Sequence, residues 1–86
     1  MIIKVKTNDI YKLAVDLERY IARELMTYGY VSVNEITNYI SGVSNIPDKD
    51  TGYNMAWGIP AVHVVWGSNC TISILPEPKN EYWRLW

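Results

Sequence analysis

From Asn8 to Tyr28 apolar residues recur every three or four positions. Ile10, Leu13, Ala14, Leu17, Ile21, Leu25 and Tyr28 fall on one stripe of a helix with about 3.6 residues per turn, and Lys12, Asp16, Arg19 and Arg23 fall on the opposite side. The spacing predicts a long helix over 8–28. Thr7 or Asn8 is placed to cap its start with a side-chain oxygen, and Gly29 is placed to end it in a left-handed conformation. A second apolar stripe runs along the same helix through Tyr11, Val15, Ala22 and Met26. A surface helix needs only one such stripe, so the second asks for a cover. Glu24 lies near the core stripe, where it reads as an interfacial or buried carboxylate.

Ahead of the helix, Ile3 and Val5 alternate with Lys4 and Lys6, which predicts a short strand at a sheet edge. Behind it, Ser32 and Glu35 have the spacing of a capping box, with Val31 and Ile36 at the positions of a hydrophobic staple. A second, shorter helix follows, with Val33, Ile36 and Ile40 as its apolar face and Gly42 at its end. The short link from Gly29 to Val31 predicts a helical corner or hairpin. Residues 43–52, with Pro47, Asp48, Asp50 and Gly52, read as a flexible loop.

The period then changes from helical to alternating. Tyr53, Met55 and Trp57 share a face of one expected strand. Val62, Val64 and Trp66 alternate with Ala61, His63 and Val65 in a second, and Cys70, Ile72 and Ile74 with Thr71, Ser73 and Leu75 in a third. Gly58-Ile59-Pro60 interrupts the first pair, Gly67-Ser68-Asn69 makes a hairpin turn, and Pro76 and Pro78 stop the last strand. Residues 79–86 form an apolar tail with Trp83, Leu85 and Trp86, the obvious internal cover for the second helical stripe. The order is an α+β domain over 1–86: short strand, long helix, short second helix, then a small antiparallel sheet of about three strands, in the sequence of elements of a winged helix.

Composition narrows the chemistry. The chain of 86 residues has a formal charge of −1, which gives no electrostatic case for nucleic acid or an anionic membrane. The expected second helix carries Asn34, Glu35, Thr37, Asn38 and Ser41 but no Lys or Arg, so it lacks the cations that neutralise phosphates. With one Cys there is no internal disulfide and no Cys-based zinc site. Cys70 reads as a small buried residue of a strand, with His63 on the other face, so the two do not form a nucleophile pair. Asp48 and Asp50 beside Gly52 do not fit a calcium loop, because Tyr53 and Ile59 stand where that loop needs glycine and a carboxylate. No cofactor or metal is expected, and no catalytic set. The longest nearly apolar run, 59–66, is too short to span a bilayer, and the lysine-studded start is unlike a signal peptide, which predicts a cytoplasmic protein.

Aromatic residues are the surplus: four Trp and seven Tyr with no Phe. Such rings anchor small cores and also anchor interfaces. Tyr11, Val15, Met26, Trp83, Leu85 and Trp86 are therefore the candidate partner-binding residues, for another protein or a second copy.

Three segments carry a resemblance. Tyr28-Gly29-Tyr30-Val31 after a long helix, Trp57-Gly58 after an acidic loop, and a last strand closing on Leu75-Pro76-Glu77-Pro78 resemble small phage and prophage proteins of unassigned activity. Those commonly show Y-G-[YF]-[VI], then G-W or W-G, then L-P-x-P. The resemblance spans about two thirds of the chain, which departs from the pattern in its Trp-rich tail. It implies an accessory protein of a phage or mobile element that binds a host or phage protein. Inhibition of a host defence nuclease, as anti-CRISPR proteins perform it, is one instance. A winged-helix-like DNA binder and a homo-oligomeric virion or assembly component are the other readings.

Overall fold

The computed structural model describes residues 1–44, 51–67 and 70–83. The α+β class and the order strand, long helix, short helix, antiparallel strands are present. The strands are distributed over two small sheets rather than one. The first has the order β3-β1-β6-β5, from β1 (Ile2–Lys4), β3 (Val43–Ser44), β5 (Ala61–Val64) and β6 (Thr71–Leu75). The second has the order β2-β4-β7, from β2 (Tyr30–Ser32), β4 (Thr51–Asn54) and β7 (Lys79–Asn80). All pairings are antiparallel. The helices α1 (Ile10–Tyr28) and α2 (Val33–Ile40) pack on these sheets and on each other.

The long helix forms for the reasons its period suggests. Ile10, Ala14, Leu17, Ile21 and Leu25 are buried and Leu13 partly so. Tyr28 is not part of that face; at the last position of the helix, beyond Leu25, it is 65 % exposed. The cap is Asp9 rather than Thr7 or Asn8, and its carboxylate accepts the Lys12 N–H at 3.1 Å. Thr7 instead accepts the Asp9 N–H at 3.2 Å, one step upstream. Gly29 ends the helix at φ 86°, its N–H on the Leu25 carbonyl at 2.9 Å.

The capping box of α2 is complete. Glu35 N donates to Ser32 Oγ at 3.0 Å, and Ser32 N donates to Glu35 Oε2 at 3.2 Å. Ser41 takes the left-handed conformation at the end of α2, at φ 51°. Gly42 matters for a different reason. A Cβ there would lie 2.5 Å from Ile3 Cγ2 and 2.9 Å from Val5 Cγ1, so its bareness lets the chain pass against β1.

The expected edge strand is interior: β1 lies between β3 and β6. Its exposed lysines mark the solvated face of the sheet, not an open edge. Met1, Ile3 and Val5 point inward with Ile72, Ile74 and Val62. The register sets these opposite one another, Ile3 against Ile72 and Val62 against Ile74, so the pleats of three strands build one apolar layer under α1. The Met1 α-amino group donates to the Ile74 carbonyl at 2.7 Å and to Glu77 at 2.8 Å.

The link from Gly29 to Val31 is not a simple corner. Residues 30–32 form β2, paired with β4 as Tyr30–Asn54, Val31–Tyr53 and Ser32–Gly52. The strand expected through Trp57 ends at Asn54, and Met55–Trp57 make a single 3-10 turn. Asn54 is buried. Its Oδ1 accepts the Ala56 N–H at 2.8 Å and its Nδ2 donates to the Tyr82 carbonyl at 2.8 Å. Residues at both ends of the expected 43–52 loop belong to β3 and β4; 45–50 lie outside the described residues.

Tyr53 joins the two sheets. It is buried on β4, and its hydroxyl donates at 2.7 Å to the carbonyl of Pro76, where the chain leaves β6 and crosses to β7. Burial first, and then the Glu77 carboxylate, push this phenol far above its ordinary value of 10.0.

Two outcomes are expected. A Cβ at Gly52 would strike the Val31 carbonyl and come 2.8 Å from the Tyr82 ring, so Gly52→Ala will destabilise the fold by about 1–3 kcal/mol, read by urea denaturation. Tyr53 keeps its proton in the folded state at pH values where the unfolded chain has lost it. Stability will therefore hold up to about pH 10 and fall above it. Tyr53→Phe will flatten that alkaline decline and lower neutral-pH stability by about 1 kcal/mol for the lost hydrogen bond.

Candidate functional site

Burying one face of α1 leaves two flanks. The first carries Tyr11, Val15, Ala22 and Met26, brought onto one stripe as their spacing predicts. Tyr11 is 71 %, Val15 52 % and Met26 67 % exposed, with Ala22 half-buried. Lys12, Arg19 and Arg23 border the stripe on its outer side and are exposed. On its inner side stands β5, which among the described residues is an edge strand paired with β6 alone. Glu18 bridges the two: its Oε2 accepts the Val62 N–H at 3.3 Å, occupying a donor of the open edge. This blunts β5 toward strand addition. At the end of the hairpin that β5 begins, Trp66 is 99 % exposed.

The tail does not cover this stripe over its described length. Tyr82 lies over Gly52, its ring 5.9 Å from Tyr30 and 5.1 Å from Trp83, which meets it edge-on. Trp83 is thus tied to the β2-β4-β7 side, apart from Tyr11, Val15 and Met26. Leu85 and Trp86 lie outside the described residues.

The second flank of α1 faces α2. Tyr20, Glu24 and Tyr28, spaced by four, form one ridge; Glu35 and Tyr39, also spaced by four, form the facing one, with Tyr30 across the end. Tyr20, Glu24, Tyr28, Tyr30 and Glu35 line a groove of about 400 Å³. Tyr20 stacks on Tyr39 at 4.1 Å with the rings 9° from parallel, and the Arg23 guanidinium lies 5.8 Å from the Tyr20 ring centroid. Burial, then the negative charges of Glu24 and Glu35, then a hydrogen bond to Glu24 raise the Tyr20 phenol above its ordinary value, against the lowering pull of Arg23. The groove is an aromatic, negatively charged concavity. The sequence singles out Glu24 as a carboxylate near the core stripe, Tyr28 as part of that stripe and Glu35 as part of a capping box, but not as one site; the spacing of four in 20-24-28 and 35-39 is the signal that could have grouped them.

Other candidate chemistry is scattered. Cys70 is exposed rather than buried, because it precedes β6 at the end of the sheet, beyond the apolar layer. Its carbonyl accepts the Val5 N–H at 2.8 Å, and it borders a mostly apolar concavity of about 680 Å³ with Lys4, Val5, Lys6, Ile40, Ser41 and Val43. His63 is exposed and stands opposite Ser73, on the face away from Ile72 and Ile74. Among the described residues no group of three or more His, Cys, Asp or Glu could hold a metal ion, and no helix is long and apolar enough to cross a membrane. Asp48 and Asp50 lie outside the described residues. The exposed positions of α2 include Asn34, Glu35, Asn38 and Tyr39, without a cation.

Comparison with protein-family models, with curated proteins and with solved structures finds no match to this chain.

Phenolate formation at Tyr20 adds a negative charge beside two carboxylates, so neutralising either carboxylate eases it. Glu24→Gln will lower the Tyr20 pKa toward its ordinary value, and Glu35→Gln will lower it by a smaller step. Alkaline absorbance titration, with Tyr20→Phe as the reference, measures both.

Proposed function

We propose that this chain is a non-enzymatic protein-binding module and that the Tyr11-Val15-Met26 flank of α1 is its docking face. One observation carries the reading: an apolar stripe that neither the sheets nor the described part of the tail covers. Large apolar side chains grouped on one exposed helical face are the usual anchors of helix-in-groove recognition. Lys12, Arg19 and Arg23 beside the stripe set the chemistry of the partner. It presents an apolar groove with an acidic rim, which steers association and fixes orientation. The likeness of the 28–31, 57–58 and 75–78 segments to phage and prophage proteins supports a host or phage protein as that partner, with inhibition of a host defence nuclease as one form the interaction takes.

Val15→Asp with Met26→Asp places charges on the stripe without touching the core, so the fold keeps its stability to within about 0.5 kcal/mol per site. Tagged wild-type protein will retain one protein from host-cell lysate. The double variant, and separately Lys12→Glu with Arg19→Glu, will lose it by more than tenfold, while Lys6→Glu, outside the stripe and its basic border, keeps it. Retention by the stripe variant contradicts the assignment. A wild-type dimer mass that Val15→Asp/Met26→Asp converts to a monomer reassigns the face to self-association.

A further inference from the structure

The groove on the other flank of α1 has a chemistry of its own, and it rests on different residues from the docking stripe. We propose that it is a receptor for an arginine side chain presented by a partner polypeptide. Glu24 from α1 and Glu35 from α2 supply negative charge from the two helices, Tyr20 and Tyr28 flank Glu24 on α1, and Tyr30 of β2 completes the lining. Carboxylates paired with phenol rings form the combination that selects a cation: the exposed Tyr28 and Tyr30 rings offer their negative faces, those of Tyr20 being engaged by Tyr39 and Arg23, and the carboxylates accept its N–H groups. The volume of about 400 Å³ falls within the range of small-ligand sites.

Guanidinium fits better than ammonium. It is planar, stacks on rings and bonds a carboxylate through two parallel N–H groups. The chain already makes this kind of contact, since Arg23 lies over the Tyr20 ring. Arg23 is not among the groove's lining residues, and none of those five is a cation. Glu35 keeps an acceptor available, because its bond to the Ser32 N–H uses Oε2 and leaves Oε1. The aromatic run continues from Tyr30 through Tyr82 to Trp83, so the residues flanking a bound arginine meet further rings. That continuation favours a side chain carried on a peptide over free arginine.

The test titrates the full chain with the blocked tripeptide acetyl-Ala-Arg-Ala-amide and follows the tyrosine ring signals by NMR. Lysine and citrulline versions and free arginine are the companion probes. The expected result is saturable shifts at Tyr20, Tyr28 and Tyr30 and at the rings in contact with them, Tyr39 and Tyr82, with Tyr11 unmoved. The lysine peptide will bind at least threefold more weakly, and the citrulline peptide at least tenfold. Glu24→Gln with Glu35→Gln will weaken the arginine peptide at least tenfold. Glutamine preserves the capping box at position 35, and an unchanged thermal melt confirms that the variant is folded. Equal binding of the arginine and citrulline peptides, or equal binding by the double variant, overturns the proposal, as does the absence of saturable shifts. Tighter binding of free arginine than of the peptide overturns its polypeptide form. Val15→Asp/Met26→Asp will leave these titrations unchanged, so failure of the groove and failure of the docking stripe are read separately.

Discussion

Everything in this molecule follows from where α1 spends its one apolar face. Ile10, Ala14, Leu17, Ile21 and Leu25 are buried in one core with the inward residues of β5, β6 and β2 and with α2 packed against α1. Each fully buried aliphatic side chain of this kind contributes about 1.5–3 kcal/mol, so no other contact in the chain rivals the stripe as a whole. Fixing that face fixes the helix rotation. The rotation presents Tyr11, Val15 and Met26 on one side and Tyr20, Glu24 and Tyr28 on the other. The two candidate sites are the two consequences of one packing decision, and no substitution in either needs to disturb the stripe.

The second sheet has a narrower role. It is short, with two- to four-residue strands, and side-chain contacts add to its ladder. Tyr53 reaches across to Pro76, Asn54 holds the Tyr82 carbonyl, and Tyr82 covers Gly52. These contacts take the chain after β6 to the β2-β4 side and away from the first flank of α1. A tail expected to shield that flank is thereby committed elsewhere over its described residues. The apolar stripe on α1 is exposed, and the anchors of β4 hold the described part of the tail on the other sheet.

What the sequence made legible was local. The extent of α1, its left-handed glycine, the capping box of α2 and the inward pairing of Ile72 and Ile74 all rest on residues within a few positions of one another. The strands β2, β3 and β7 have no such signal, since two or three residues become a strand only when a partner such as Asn54 or Lys4 arrives from far along the chain. Lysine alternation in β1 was ambiguous for a related reason: it reports a wet face, and an interior strand has one as readily as an edge. The stripe of Tyr11, Val15 and Met26 was visible because helical period alone assembles it. The groove was not, because it needs two helices at a fixed distance, and tyrosine serves in a core, at a cap or at a surface with equal ease.

A docking face on α1 requires that its first flank stay open in solution, and the three methionines report on this without any substitution. Met1 is buried, Met55 is partly exposed, and Met26 stands on the stripe in question. Peroxide oxidation read residue by residue by peptide mass spectrometry compares their rates in the native protein with those in the urea-unfolded chain, since sulfoxide formation follows exposure. An open flank predicts that Met26 oxidises at nearly its unfolded rate while Met1 lags far behind. A Met26 as protected as Met1 would mean that the stripe is covered in the free protein, and would contradict the open docking face.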